Sequence, residues 1–587
     1  MERNGKETLS ISPQVSVAKA LFLGNIVEES LFPFPTIAPD QAETLRIVLE
    51  SIDKFMKDKT ALFREYDRHG SQPPEYLEQL REMGLFGLIV PEEYGGLGLS
   101  NAGYSRVVQQ VSRYDASTSL TIGAHSSIGM KGLLLFGSPA QKERYLPRLA
   151  TGELIASFCL TEAGSGSDAG SISTSAIKNP DGSWTLNGEK IWITNGSFAG
   201  FFTVFARTNS EKGKISAFIV ERGWDGVRTG EKEDKMGIRA SATTTVRFEN
   251  VRVPADCLLG EEGRGFQVAM SILNSGRTGL GGGSVGAMKQ CIDFATRQAC
   301  ERKQFQRRIV EFGLVKEKLA QMTVDCFAAE STVSMVCHYI DSGVSDFSVE
   351  AAISKVFASE ALWRVANEAL QIAGGNGFMR EFPYERVVRD SRINMIFEGT
   401  NEILRLYIAL SGMKDAGEYL KEIGKGMGKV FNDPIKGFGV LSGYAVRKFS
   451  QLTSRGGDTV EAIHPALRDD SRVLELYTLR LSQATEALLR RYRKDVVEQQ
   501  FAMKRVANVA IDLFVGFCVL SRVSRLIEES SVEKTADERA IAHIFCQQAK
   551  RRMNQELRRL AQNEDELLEG LAKASVDNQG YRWDTLD

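Results

Sequence analysis

The sequence has few of the residues that usually bind metals or build disulfide frameworks. Its five histidines are spread from His69 to His543 without the spacing of metal ligands, which predicts no metal site. The eight cysteines are scattered, form no CxxC pair and mostly stand among apolar residues. We therefore expect reduced cysteines that pack inside an intracellular protein.

Net charge and long apolar runs are also lacking. A formal net charge of -2 over 587 residues gives no general attraction to nucleic acid, so we expect no nucleic-acid partner. We expect no apolar window long enough to span a bilayer, and the opening MERNGKETLS is too acidic for a signal or transit peptide. The expected location is the cytoplasm, or the mitochondrial matrix if the source is eukaryotic.

What the chain does have is a clear change of hydrophobic period along its length. Its size predicts about three or four domains. After an N-terminal arm, 1–39, residues 40–157 repeat apolar positions every three or four residues and predict an N-terminal α-helical domain. Residues 158–264 alternate with period two and predict a middle antiparallel β domain, with hairpin turns at Asn187-Gly188 and in the preceding NPDG.

Helical periodicity returns after the β domain. Residues 265–412 predict a C-terminal four-helix-bundle domain, and residues 471–587 predict an appended α-helical domain. The fold class is therefore α+β and multidomain. GLGGGSVG, at 279–286, looks like a dinucleotide-binding loop, but it follows the helical SILNSGRT instead of a strand, which argues against that interpretation.

The region 413–470 differs from both of its neighbours. From Gly424 to Gly457 it is rich in glycine, basic residues and apolar side chains, and Asp433 is its single acid. Lysines and arginines among apolar residues favour peripheral contact with an anionic membrane surface, here the inner face. The alternative is a flexible, solvated linker, because the glycines weaken any helix.

The stretch NMIFEGTNEILR, 394–405, places one carboxylate between an apolar run and a Gly-Thr pair. Apolar neighbours should desolvate Glu398, raise its pKa and make it a better base near neutral pH. The alternative is an acid at a helix N-terminus, with Thr400 or Asn401 as the cap. The stretch alone leaves both interpretations open.

Five motifs in a fixed order decide between them. FCLTEAGSGSDAGS opens the β domain, WITNG lies inside it, ERKQF and QIAGGNGF lie in the bundle, and IFEGTNEI lies near its end. In this order they resemble the acyl-CoA dehydrogenase family from about Phe32 to Gly412. The extra C-terminal helical region is similar to the very-long-chain branch and to its close relative that also acts as a respiratory-complex assembly factor.

The resemblance implies FAD-dependent α,β-dehydrogenation of long or very-long-chain acyl-CoA to trans-2-enoyl-CoA, the first step of fatty acid β-oxidation. Glu398 would abstract the α proton while FAD N5 takes the β hydride, and the Glu398 N–H would help to bind the thioester oxygen. One branch of the family carries its base at the position of Gly276, which here has no side chain. The alternatives are an acyl-CoA oxidase and an assembly scaffold that retains the dehydrogenase fold.

The resemblance also carries over the FAD contacts residue by residue. Those from the bundle would reach across a homodimer interface. For Phe158 and Leu160 the alternative is strand packing, for Trp192 a core position, and for Arg302 a solvated helix end. The cofactor-binding residues are Phe158, Leu160, Thr161, Gly166, Ser167, Trp192, Ile193, Thr194, Arg302, Gln304, Phe305, Gln371, Gly374, Gly375, Thr400 and Glu402.

The substrate residues follow in the same way. Ser167, Asn274, Arg277 and Gly399 match positions at the acyl-CoA site, although Asn274 stands where many relatives have Asp. Gly123 and Ala124 match the floor of the acyl pocket, where small residues would leave room for a long tail or would merely pack helices closely. The partners implied are acyl-CoA and, as electron acceptor, an electron-transfer flavoprotein.

Overall fold

The computed structural model describes residues 16–208, 214–430 and 458–585. The chain forms two compact units. The first contains Phe34–Leu404 together with Met1–Ser16, and the second contains Val17–Pro33 together with Arg405–Asp587. Part of the segment expected to be an N-terminal arm thus belongs with the C-terminal helices.

Helices make up the part of the chain before the β domain. Side chains fix several of their starts, since Ser100, Asp115 and Ser138 each accept a hydrogen bond from a backbone N–H in the first turn. The helix that ends at Gly123 continues directly into a π-helical turn, Ala124–Gly129. The helices are α1 (Val17–Phe22), α2 (Glu28–Leu31), α3 (Pro39–Met56), α4 (Thr60–His69), α5 (Pro74–Glu82), α6 (Asn101–Ser112), α7 (Ala116–Gly123), α8 (Lys131–Phe136) and α9 (Pro139–Ala150).

The middle domain is a mixed sheet in which most pairings are antiparallel. Its order is β6-β7-β3-β2-β4-β5-β8, and β1 joins it by pairing with β4. The pairs β1 with β4 and β2 with β4 are parallel. The strands are β1 (Ala156–Cys159), β2 (Ser175–Lys178), β3 (Trp184–Thr194), β4 (Phe201–Thr208), β5 (Ile215–Glu221), β6 (Val227–Thr229), β7 (Thr243–Val253) and β8 (Leu258–Leu259).

One of the two expected hairpin turns in this domain is wrong. Asn187-Gly188 does not turn the chain, because both residues lie inside the continuous strand β3, where the register with β7 shifts between Leu186 and Gly188. An added Cβ at Gly188 would lie 2.4 Å from the Thr174 hydroxyl oxygen, so the glycine permits close approach at a bulge. The NPDG turn is confirmed, since Gly182 N–H donates to Asn179 O and joins β2 to β3.

The bundle confirms the return to helices. Three long helices, α10 (Gly265–Glu301), α11 (Gly313–Asp341) and α12 (Ser348–Ala373), pack together, and GLGGGSVG lies inside α10 as part of a helix. A two-stranded hairpin of β9 (Lys303–Gln304) and β10 (Arg307–Arg308) separates α10 from α11. The remaining helices of this region are α13 (Gly375–Phe378), α14 (Tyr384–Ser391) and α15 (Asn401–Val430).

The described secondary structure elements of the second unit are all helices. Its apolar centre includes α1, whose Phe22 packs so closely on Gly412 that an added Cβ there would lie 2.3 Å from the ring. Ser521 also donates a hydrogen bond to Leu31 O. Its C-terminal helices are α16 (Arg468–Tyr492), α17 (Gln500–Glu529), α18 (Ala536–Arg558) and α19 (Asp565–Asp577).

The expectation that no window could span a bilayer needs a correction. Helix α17 is long and apolar enough by composition, but 89% of its apolar window is buried inside the protein. That burial identifies a core helix, which passes the same test of length and hydropathy. Most of the basic segment 424–457 lies outside the described residues, so the structure leaves its membrane prediction untested.

Candidate functional site

Glu398 lies in a short turn between a 3-10 helix, Arg392–Met395, and the start of α15. Its φ is 57°, and the next residue, Gly399, has a φ of 92°. Both values are left-handed, and such a backbone conformation is costly for a residue that is not glycine. Its Oε2 atom is buried, and no hydrogen-bond partner for it exists among the residues that the structure describes.

Burial has a large effect on this carboxylate. It raises the pKa of Glu398 to about 7, although the positive charges of Arg277 and Lys355 act in the opposite direction. A carboxylate with this pKa can both accept and hold a proton near neutral pH, which suits a general base. The alternative interpretation also finds support nearby, since Thr400 caps α15 by accepting a hydrogen bond from Ile403 N–H.

Helix α10 faces the Glu398 carboxylate with a glycine. A Cβ added at Gly276 would lie 3.4 Å and 3.5 Å from the two carboxylate oxygens, and only 2.7 Å from Ile128 Cγ2. The carboxylate therefore occupies space that a side chain on α10 would otherwise need. One branch of the resembled family carries its base at the position of Gly276. A side chain at this position would enter the space that the Glu398 carboxylate occupies.

Two buried cations flank the turn. Arg277, only 6% exposed, donates from Nη1 to Asn274 Oδ1 at 2.7 Å, and its Nε lies 3.4 Å from Glu398 O. Lys355, which sequence reasoning missed, donates from Nζ to Gly399 O at 2.8 Å. The predicted substrate residues Asn274, Arg277 and Gly399 are thus brought together around Glu398. A lone lysine in the apolar AAISKVFASEALW was the signal for Lys355.

Helix α14 anchors the segment that leads to Glu398. Its Arg386 donates to Asp115 Oδ1 at 3.3 Å, and its Arg389 donates to Asp67 Oδ2 at 2.9 Å, both in the N-terminal helical domain. Asp390 accepts from the N–H of Ile238 in the β domain. These charge-assisted bonds tie the approach to Glu398 to both other domains of its unit.

The predicted flavin residues of the β domain form one neighbourhood. Phe158 lies on β1, with Leu160 and Thr161 directly after it, and Trp192, Ile193 and Thr194 end β3. The Ile191 N–H donates to Thr161 O at 2.9 Å, and the Ser157 hydroxyl donates to Thr194 O at 2.8 Å. Both segments therefore lie side by side, as one binding surface requires.

The conformation of Trp192 distinguishes it from a core residue. Its φ is 56°, and its side chain is 63% exposed, whereas Ile193 beside it is buried. A large ring held outward by a left-handed backbone favours a ligand contact over simple strand packing. Gly166 and Ser167 are also exposed, and an added Cβ at Gly166 would meet nothing within 4 Å. This open surface fits a flavin cofactor.

A buried ion pair holds these two segments together. Lys190 of β3 donates from Nζ to Glu162 Oε1 at 2.7 Å and to Leu160 O at 3.0 Å, and both charged side chains are buried. Glu162 also accepts from Ser173 N, Ser173 Oγ and Thr174 N. Burial raises the pKa of Glu162, but these four hydrogen bonds outweigh it and hold the pKa at about 2.

The predicted cofactor residues of the bundle face solvent in this single chain. Arg302 follows α10, Gln304 and Phe305 lie at the β9–β10 hairpin, and Gln371, Gly374 and Gly375 lie at the end of α12. Phe305 is 88% exposed and has a φ of 50°. Glu402, in the first turn of α15, is exposed as well. The structure thus places these residues on a surface without uniting them with the β-domain group.

The expected floor of the acyl pocket lies near Glu398. A Cβ added at Gly123 would meet only the Tyr104 hydroxyl oxygen, at 3.9 Å, and Ala124 beside it is buried. Tyr104 packs on Gly279 of α10, and its pKa is raised chiefly by burial and further by the charge of Glu398. Tyr104, which sequence reasoning missed, therefore lies next to both Gly123 and Gly279 and within range of the charge of the candidate base.

Four family models match the chain. They are described as the acyl-CoA dehydrogenase N-terminal domain over residues 42–153, the middle domain over 157–251, the C-terminal domain over 263–413, and the ACAD9/ACADV C-terminal domain over 465–581. Together they span both structural units. Among the described residues there is no group of three or more His, Cys, Asp or Glu arranged to hold a metal ion.

Curated relatives match almost the whole chain. The very long-chain specific acyl-CoA dehydrogenase, mitochondrial, from Bos taurus is 43% identical, over 99% of this chain and 90% of its own length. The protein of the same name from Homo sapiens is 42% identical, over 96% of this chain and 88% of its own length.

Solved structures show the same fold. The acyl-CoA dehydrogenase complexed with FAD from Bacillus anthracis gives a TM-score of 0.79 at 31% identity, with 94% of each chain covered. A chain of the electron transferring flavoprotein of Acidaminococcus fermentans gives 0.61 at 35% identity, covering 64% of this chain and 98% of that one.

Proposed function

Because this chain belongs to the acyl-CoA dehydrogenase family and is an FAD-dependent enzyme acting on acyl-CoA, we propose that it oxidises long or very-long-chain acyl-CoA to trans-2-enoyl-CoA, with Glu398 as the base. The observation that carries the proposal is the buried, unpartnered Oε2 of Glu398, whose pKa is raised to about 7. An α C–H is a weak acid, so its removal needs a positioned base of this kind.

Other groups in the proposed site bind the thioester oxygen and the flavin. The Glu398 N–H is the proposed donor to the thioester oxygen, where negative charge develops as the α proton leaves. Thr161, Trp192, Ile193 and Thr194 provide the surface that would hold the flavin ring, and Gly166 and Ser167 the open turn for its phosphates. When bound, FAD would supply the two-electron acceptor for the hydride from the β carbon.

The direct test is anaerobic mixing of the holoenzyme with acyl-CoAs of increasing chain length while the flavin absorbance is followed. We expect rapid bleaching that is fastest with long chains. Failure of every acyl-CoA to bleach the flavin would refute the proposed reaction. Mixing the reduced enzyme with electron-transfer flavoprotein or with oxygen then separates a dehydrogenase from an acyl-CoA oxidase, and we propose the flavoprotein as the acceptor.

The pH dependence of bleaching should follow the charge of Glu398. The base is active when deprotonated, so the second-order rate constant for flavin reduction should rise as pH increases through about 7 and level off above it. Stopped-flow measurements from pH 5.5 to 9 with palmitoyl-CoA test this expectation. A rate that is flat across this range, or that falls as pH rises through 7, would contradict it.

Gly123→Glu should shorten the preferred acyl chain. The new side chain would extend into the space beside Tyr104 and exclude several methylene groups. Each buried CH₂ contributes about 0.8 kcal/mol, so excluding about three or four should lower kcat/KM roughly a hundredfold for the longest chains. The matched Gly123→Ala variant should produce a smaller shift, and an unchanged chain-length profile in Gly123→Glu would show that this glycine only packs helices.

We also propose that the enzyme is a homodimer. The bundle residues carried over as FAD contacts are exposed in the single chain. They include the large apolar side chain of Phe305, and the equally apolar Phe378, shortly after Gly375, is exposed as well. A second copy would cover this apolar surface and bring its own cofactor to it. Light scattering of the purified holoenzyme should give twice the mass of one chain, and a monomeric mass would refute the dimer.

We also propose a cellular location and a membrane contact for the enzyme. We place the enzyme in the cytoplasm, or in the mitochondrial matrix of a eukaryote, with residues 424–457 in peripheral contact with the membrane. The basic and apolar composition of that segment supports the contact. Deletion of the segment should abolish flotation with anionic liposomes while activity on soluble substrate persists, and equal flotation of both forms would exclude it.

A further inference from the structure

Lys355 is a buried lysine in the middle of helix α12. It is completely inaccessible to solvent. Its Nζ donates to Gly399 O and to Asn401 Oδ1, each at 2.8 Å. A lysine is seldom fully buried because desolvating an ammonium is costly unless its hydrogen bonds are made inside the protein. Gly399 belongs to the turn that carries Glu398, and Asn401 is the first residue of α15 directly after it.

The turn needs support because of its backbone. Glu398 and Gly399 are consecutive left-handed residues, and for Glu398 that conformation is strained. The Glu398 carbonyl lies 3.4 Å from Arg277 Nε of α10, and the Gly399 carbonyl accepts from Lys355 of α12. The carbonyls of these two left-handed residues are thus each approached by a cation from a different helix.

A second connection fixes the same turn to α12. The side-chain amide of Asn401 donates to Ser359 Oγ and to Glu360 Oε1, each at 3.1 Å, while its oxygen accepts from Lys355. One face of α12 therefore contacts the residues after Glu398 at three points. A rigid helix that binds both the backbone and Asn401 leaves the turn little freedom.

We propose that Lys355 is a positioning residue for Glu398: its ammonium holds the left-handed turn that aims the carboxylate past Gly276 and places a positive charge beside that carboxylate. The proposal rests on Glu398 being the base. Lys355 itself touches neither the carboxylate nor the reacting carbons in this assignment. It acts through the backbone of Gly399 and through electrostatics.

The charges around the turn agree with this role. Burial lowers the pKa of Lys355, and Arg277 adds to this effect, whereas Glu398, Glu360 and Glu402 oppose it. The two bonds from Nζ to Gly399 O and Asn401 Oδ1 favour the ammonium form. In return, Lys355 and Arg277 both act to lower the pKa of Glu398. Removing the Lys355 charge should therefore raise the pKa of Glu398 and move base activity to higher pH.

The test separates proton abstraction from hydride transfer. A 3-thia-acyl-CoA has sulfur at the β position and no hydride to give, so exchange of its α protons with D₂O, followed by mass spectrometry, reports the base alone. In the Lys355→Met holoenzyme we expect α-proton exchange at pH 7 to slow by about ten- to a hundredfold and the midpoint of its pH profile to rise by about one unit. The dissociation constant of the thia-acyl-CoA should change by less than about threefold, because binding is not the affected step.

Two further variants distinguish positioning from a general loss of structure. Lys355→Arg retains the charge and should restore most of the pH midpoint. Lys289→Met removes a lysine of the same bundle that pairs with Glu330, and it should leave exchange unchanged. If Lys355→Met does not yield folded holoenzyme, Asn401→Ala removes one acceptor of Lys355 and should slow exchange with a smaller shift of the midpoint.

The outcomes also separate this inference from the assignment of Glu398. Normal exchange in Lys355→Met, or slow exchange with an unshifted midpoint in both Lys355→Met and Lys355→Arg, would overturn the role of Lys355. Normal exchange in Glu398→Gln would instead overturn the base itself. Loss of exchange in Glu398→Gln together with normal exchange in Lys355→Met would leave the proposed function intact and refute only the positioning role.

Discussion

Replacing Glu398 with glutamine should leave the protein folded and yellow but stop acyl-CoA from reducing its flavin. The amide has the size of the carboxylate but cannot accept the α proton, and a positioned base contributes about a hundred- to ten-thousand-fold to such a step. The buried site should tolerate the change, since Oε2 has no partner to lose among the described residues and the neutral amide avoids burying a charge. Stopped-flow bleaching with palmitoyl-CoA at pH 8 measures the loss.

Two controls show whether the loss of bleaching is specific to the Glu398 carboxylate. Glu50→Gln removes an exposed carboxylate of α3 that forms an ion pair with Arg46 and has no role in the proposed site, and it should bleach at the normal rate. The flavin content and the thermal unfolding midpoint of Glu398→Gln should match those of the parent. Bleaching at a normal rate in Glu398→Gln would show that another group takes the proton, and the assignment would then fail.

Lys190→Met should be the most damaging single change in the β domain. It removes one partner of a fully buried ion pair and leaves the Glu162 carboxylate without its cation, which typically costs about 3–5 kcal/mol. The bond to Leu160 O is lost as well, so one connection between the segment with Leu160 and Thr161 and strand β3 is removed, while the bond from Ile191 N–H to Thr161 O remains. We expect a lower denaturation midpoint and weaker retention of FAD during gel filtration.

A double variant isolates the unpaired charge. Glu162→Gln keeps one oxygen, which can accept from Ser173 N and Ser173 Oγ as Oε2 does in the parent, and it carries no charge. Combined with Lys190→Met, it should recover part of the lost stability and of the FAD content, because no uncompensated ion remains buried. A double variant that is less stable than Lys190→Met alone would show that the effect of Lys190 does not come from the stranded carboxylate.

The order of the domains could be predicted because hydrophobic period is a local property of the sequence. The switch from helical spacing to alternation before FCLTEAG, and back again at Gly265, is repeated over many residues and outweighs any single misleading position. The Asn187-Gly188 pair shows the limit of such local signals. Its turn propensity is real, but pairing of β3 with β7 on both sides of it keeps the strand continuous.

The residues of the candidate site also differ in whether a local sequence signal could identify them. Glu398 could be proposed because its apolar neighbours and the motif that carries it are adjacent in the sequence, whereas the roles of Lys355, Tyr104 and Lys190 depend on contacts with distant residues. A lysine within an apolar run indicates a buried charge but does not name its partner. The left-handed backbone at Trp192 and Glu398 is likewise imposed by tertiary contacts, since nothing in either side chain favours it.

The grouping of Val17–Pro33 with the C-terminal helices bears on how the chain is made. These residues are synthesised before the catalytic domains, yet Leu31 bonds with Ser521, which is synthesised about 490 residues later. Phe34–Leu404 can fold during this interval, while the apolar residues of α1 remain exposed until the C-terminal helices are synthesised. A premature stop after the catalytic domains would therefore leave Val17, Leu21 and Phe22 exposed, and such a fragment should require a chaperone and be degraded quickly.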